Sequence, residues 1–134
     1  MLTPRCVLFA FMKEMNMWER QSACREHECD AGKMDYDKAA TLGTSEYMDI
    51  FTKYCSSAAI PREYFFTEPP DYDPVGEVVL GEHELSAGLI EILTQQSYNH
   101  RKKHIFRMAF ENGEWKIIER KIVLDTNEVL DTSL

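Results

Sequence analysis

Three groups of residues carry enough chemistry to be read first. "CREHEC" sets Cys24, His27 and Cys29 close together, and these are residue types that bind zinc. Positions i, i+3 and i+5 of one helix do not converge on a tetrahedral centre, and no second ligand pair follows, so the spacing predicts no metal site. "HRKKH" joins His100 and His104 to Arg101, Lys102 and Lys103 ahead of a strand. There the two imidazoles do not converge, and the cluster reads as a solvated turn. The third group is an acidic band. Glu63, Glu68, Asp71, Asp73, Glu77, Glu82 and Glu84 follow one another with no Lys or Arg among them. Pro61, Pro69, Pro70 and Pro74 stiffen the same stretch, which also contains Tyr64, Phe65, Phe66 and Tyr72. Prolines lower the entropy lost when a loop is ordered, and aromatic side chains anchor interfaces. The expected chemistry is recognition of a basic protein surface, with Glu63, Glu68, Asp71, Tyr72, Asp73, Glu77, Glu82 and Glu84 as the contacts. The competing expectation is a hydrated loop whose charges and prolines keep a sheet edge from pairing. No glycine-rich phosphate loop and no Ser/His/Asp or Cys/His arrangement is legible.

The totals agree with a binding role. The 134 residues carry a formal net charge of −8, with 44% apolar and 28% charged residues. That composition is ordinary for a globular chain, and the length fits a single domain over residues 1–134. The negative charge argues against nucleic acid and anionic membrane as direct ligands, because binding to either draws on basic groups. It favours a basic partner reached by electrostatic steering. Cys6, Cys24, Cys29 and Cys55 show no CxxC and no secretory context, so reduced thiols in a cytoplasmic protein are expected. The opening "MLTPRCVLFAFMKEM" loses its apolar run at Lys13–Glu14 without a cleavage site, and no window approaches the ~20 apolar residues of a membrane span.

The elements that position these residues fall into two halves. Leu8, Phe11, Met12, Met15 and Trp18 follow helical spacing, with Thr3 as N-cap, Pro4 at the first helical position and Gly32 as the stop. A short helix is expected from Asp35 to Leu42, ended by Gly43, and a third from Thr44 or Ser45, with Tyr47, Ile50, Phe51 and Tyr54 on one face. Beyond the band, Glu77–Leu85 and Gly88–Tyr98 read as strands. "KKHIFRMAFENGEWKIIERKIVL" reads as a hairpin whose Asn112-Gly113 turn is type I′. That turn sets Glu111 against Glu114, Phe110 against Trp115 and Met108 against Ile117. Phe106, Met108, Phe110, Trp115 and Ile117 then share an apolar face, with Arg107, Lys116 and Arg120 opposite. Helices first and an antiparallel sheet last make an α+β domain.

"FMKEMNMWE" (Phe11–Glu19), "IFTKYCS" (Ile50–Ser56), "PPDYDP" (Pro69–Pro74) and "GEWKI" (Gly113–Ile117) resemble, in that order, the immunity proteins of the nuclear transport factor 2 fold. Those are bacterial proteins that protect a cell from a toxin made by itself or its kin. The resemblance runs from about residue 7 to residue 118. It implies a cone-shaped, cystatin-like α+β fold, N-terminal helices packed on a curved antiparallel sheet, and neutralisation of a cognate toxin by blocking it. Neither catalysis nor a cofactor is implied, and a homodimer through the sheet is a further expectation. A basic nuclease is the toxin class that an acidic surface would suit. The wider superfamily includes ketosteroid isomerase, whose chemistry needs a carboxylate base and a tyrosine oxyanion hole in an apolar pocket. Asp35, Tyr36, Tyr47, Asp49, Tyr54 and His104 are of the right types, so an enzyme or small-molecule binder using the cone pocket is the alternative.

Overall fold

The first helix begins where the sequence caps it. The Thr3 hydroxyl accepts the Cys6 amide, Pro4 opens α1 (Pro4–Asp30), and Gly32 takes the left-handed conformation just past its end. The computed structural model describes residues 2–134. Leu8, Phe11, Met12, Met15 and Trp18 form the buried stripe of α1, as their spacing requires.

α2 (Tyr36–Tyr54) is one continuous helix, capped by Asp35, where two helices parted at Gly43 were expected. Gly43 does not stop it. The Gly43 carbonyl accepts the indole N–H of Trp18 at 2.9 Å, and the Tyr64 ring lies where a β-carbon at residue 43 would sit. The glycine thus lets α1 and the Tyr64 loop approach α2 closely, a packing role that sequence alone cannot separate from a breaker.

Five strands follow in sequential antiparallel order: β1 (Glu77–Ser86), β2 (Leu89–Gln96), β3 (Lys103–Glu111), β4 (Glu114–Val123) and β5 (Val129–Thr132). The β3–β4 turn has positive φ at Asn112 and Gly113, and the pairs Glu111–Glu114, Phe110–Trp115 and Met108–Ile117 stand as the turn predicts. The register then slips. Met108 pairs with Ile117 but Arg107 pairs with Glu119, so Ile118 is an extra residue on β4. Because side chains alternate, this bulge moves Arg120 from the expected outer face to the inner one, opposite Phe106. Arg107 stays outside and the same slip brings Glu119 out beside it, in a row of ion pairs with Glu91 and Lys121. The inner face, with Ile92, Phe106, Met108 and Ile117, packs on α1. Residues 55–56 run beside β4 at Ile117, and β5 covers the other half of that strand.

Candidate functional site

The acidic band runs from the loop after α2 into β1, and the backbone of its loop part is fastened from inside the protein. Arg62 is the first fastening. Its Nε donates to the Leu134 carbonyl at 2.7 Å, its Nη1 to Glu19 Oε1 at 3.3 Å, and its Nη2 to Asp71 Oδ2 at 3.4 Å. Its backbone N–H donates to the Tyr47 hydroxyl at 3.0 Å. The second fastening is Asp71–Asp73. Asp71 Oδ2 also accepts from Arg120 Nη1 at 3.0 Å, which the bulge in β4 has turned inward. The Asp71 carbonyl accepts Gln96 Nε2 and the Tyr98 hydroxyl. The Tyr72 amide donates to Glu19 Oε2 at 3.1 Å, its carbonyl accepts Asn16 Nδ2 at 2.7 Å, and the guanidinium groups of Arg62 and Arg120 lie 5.5 and 4.9 Å from the centre of its ring. The Asp73 amide donates to the Tyr98 hydroxyl. Two arginines and two carboxylates therefore lock together one helix, one loop and one strand. Such a cluster is stable only when every member is paired.

The predicted contacts separate accordingly. Glu63 and Glu68 are exposed on the limb between the fastenings, and Glu82 and Glu84 are exposed on β1. Asp71, Tyr72 and Glu77 face inward, which corrects the expectation that they are surface groups. Tyr72 is 1% exposed, and Glu77 is buried against the Thr94 and Gln96 side of β2. Asp73 is half-buried, and its carboxylate accepts the Val75 amide. Alternation explains Glu77, because it opens β1 on the inner face. The remaining carboxylates do not form one patch. Glu68 pairs with His27 near the end of α1 and Glu82 with Arg5 near its start, roughly 33 Å apart along the helix. Of the aromatic residues, Tyr64 and Phe66 lie edge-on to Trp18, while Phe65 is 56% exposed.

Burial sets the titration of the interior. It pushes Glu19 up to about 7 against the opposing pull of Arg62 and the Tyr72 amide. It pushes Glu77 up to about 7 too, with the neighbouring Thr94 and Gln96 side chains pulling the other way. At Asp71 burial also works upward, but Arg120 and Arg62 outweigh it and hold that carboxyl below the ordinary aspartate range. His104 is pushed down to about 4 by burial and by Arg120. The interior carboxylate Glu19 and the inward Arg120 were not among the expected functional residues. "MNMWE" carries Glu19 only as a break in an apolar stripe, and nothing local announces the bulge.

The family model for NTF2 fold immunity proteins matches residues 3–128. This chain belongs to that family. No curated protein and no solved structure matches it. Two helices and a five-stranded antiparallel sheet are the α+β arrangement that membership leads one to expect.

In this immunity-family chain the residues considered for catalysis are dispersed. Asp35 caps α2, Tyr36 hydrogen-bonds Asp30, Asp49 is exposed, and Tyr54 hydrogen-bonds Glu14. Tyr47 donates to the Leu134 carbonyl, and His104 is buried on β3. The space between α1 and the sheet is filled by Phe11, Tyr72, Ile92, Phe106 and Met108, each 0–1% exposed. Cys29 is buried while Cys24 and His27 are exposed, so the three do not share a face. His100 and Arg101 form the β2–β3 turn, both with positive φ, away from the buried His104. Among the described residues no helix is long and apolar enough to cross a membrane.

Proposed function

We propose that this chain binds a cognate bacterial toxin and neutralises it by occlusion, without catalysis, acting as a cytoplasmic immunity protein. The observation that carries the reading is the fastened loop. Arg62 and Asp71–Tyr72 are held inside by Glu19, Arg120 and Asn16, and the limb between them exposes Glu63, Phe65 and Glu68. A limb already ordered before binding loses little entropy in the complex. Carboxylates around an exposed aromatic suit a partner surface that is basic with an apolar centre. Such a surface is that of a protein that itself grips phosphates, so a nuclease is the toxin class that fits best. Glu63 and Glu68 are the contacts we assign first; Glu82 and Glu84, at the other end of α1, stand as the competing pair.

Co-expression tests the reading. The product of the neighbouring reading frame should arrest growth alone, cease to do so when this chain is supplied, and co-purify with it. Rescue without a complex, or a complex without rescue, would count against neutralisation by occlusion.

A further inference from the structure

Between α1 and the turn around the cis Glu68–Pro69 bond lies a groove of about 650 Å³. Ala23, Cys24 and His27 wall it on the helix side, Thr67, Glu68 and Pro70 on the other. We propose that this groove seats a lysine or arginine side chain of the toxin and anchors the complex, an inference that rests on the immunity reading above.

Shape and charge both support that occupant. Alanine, thiol and proline walls suit the methylene stem of a long cation, and Glu68 stands at the rim to meet its charge. One Glu68 oxygen is engaged, at 2.9 Å from His27 Nε2. Two side chains, Arg20 and His27, compete for this charge. Arg20 is turned along the helix, its Nε on Asn16 Oδ1 at 2.9 Å, and His27 already shares Glu68. The surrounding field favours the cation regardless. Glu26, Glu28 and Asp30 crowd the last turns of α1, where the helix dipole already disfavours carboxylates. Together with Asp35 they reinforce burial in raising the Cys29 thiol. Carboxylates set against the dipole are unfavourable for the helix, and a basic partner relieves them.

The chain carries its own reporters. Cys24, in the groove, and Cys6, near the start of α1, are both exposed thiols, roughly 27 Å apart along the helix. Alkylation by iodoacetamide, followed by mass spectrometry, reads each separately. An oligo-arginine peptide at low salt should slow labelling of Cys24 and not of Cys6, while an oligo-glutamate peptide slows neither. In the complex with the neighbouring reading frame's product, Cys24 should react at least about tenfold more slowly than in the free chain, with Cys6 unchanged. The substitution Cys24→Trp should weaken that complex by a similar factor, and Cys6→Trp should not. Free-chain reactivity of Cys24 within an intact complex overturns the groove and leaves the immunity reading standing. Failure to form any complex removes that reading, and the groove proposal with it.

Discussion

Glu77 and Gln96 face each other across β1 and β2, and each has one buried side-chain oxygen without a partner among the described residues. A proton on Glu77 would give both oxygens a bond, which agrees with a carboxyl raised to about 7. Glu19 is raised to about 7 as well, chiefly by burial. Both groups keep protons in the folded chain that the unfolded chain, near 4.5, has released. Their contribution to stability is complete below about pH 4.5 and is lost as pH rises through about 7. His104 acts in the opposite sense. Lowered to about 4, it contributes above its ordinary 6.5, and that contribution is lost as pH falls through about 4. Asp71, lowered by its arginines, adds to the loss at still lower pH. Two carboxylates outweigh one imidazole in the window between, so stability should rise on acidification from about pH 7.5 to about 5 and then fall. Urea midpoints across that range check this, and Glu77→Gln should flatten the rise. A midpoint that climbed steadily from pH 5 to pH 8 would contradict the assignment.

At the scale of elements, Gly43 poses the sharpest question, because helix propensity and packing make opposite demands on it. Alanine at an exposed helix position gains about 1 kcal/mol over glycine. Here the added carbon would lie 2.4 Å from Tyr64 Cε1, so the Tyr64 ring must leave its place against Trp18 and Phe66. Overpacking costs about 1–3 kcal/mol, so Gly43→Ala should be destabilising overall, with a shift in Trp18 fluorescence. In a Tyr64→Ala background the same change should instead stabilise by up to about 1 kcal/mol. Equal effects in the two backgrounds would show that Tyr64 is not what the glycine accommodates. The same residue shows where the sequence stopped being legible. The stripe from Leu8 to Trp18, the Thr3 cap and the Asn112-Gly113 turn are local patterns, and they stand in the fold as written. Gly43 and Ile118 depend on what lies across from them, Tyr64 in one case and Arg107 in the other. The second reverses the face of Arg120, and with it the reading of Asp71, whose inward partner could not be foreseen. Composition marked the acidic band correctly as unlike its flanks, but it does not say which carboxylates turn inward. β5 is four residues long and carries no alternation strong enough to have been read.

For the whole molecule the decisive quantity is the distance between the two ends of α1. A protein interface of standard size covers about 800 Å² on each partner, a patch roughly 28 Å across. The exposed carboxylates near His27 and those near Arg5 are separated by roughly 33 Å, so one footprint of that size cannot be centred on both. Their contributions to association should therefore be unequal. If the fastened limb is the contact, Glu63→Lys with Glu68→Lys slows association with the toxin by about tenfold at low salt, and the deficit shrinks as added salt screens the charges. Glu82→Lys with Glu84→Lys, which changes net charge by the same amount, should stay within about twofold of the unaltered chain. Overall charge alone would slow both pairs alike, since long-range steering responds to total charge. Stopped-flow association at two ionic strengths separates these cases. A larger loss from the β1 pair would move the binding surface to the start of α1 and leave the limb, for all its internal fastening, a structural strap.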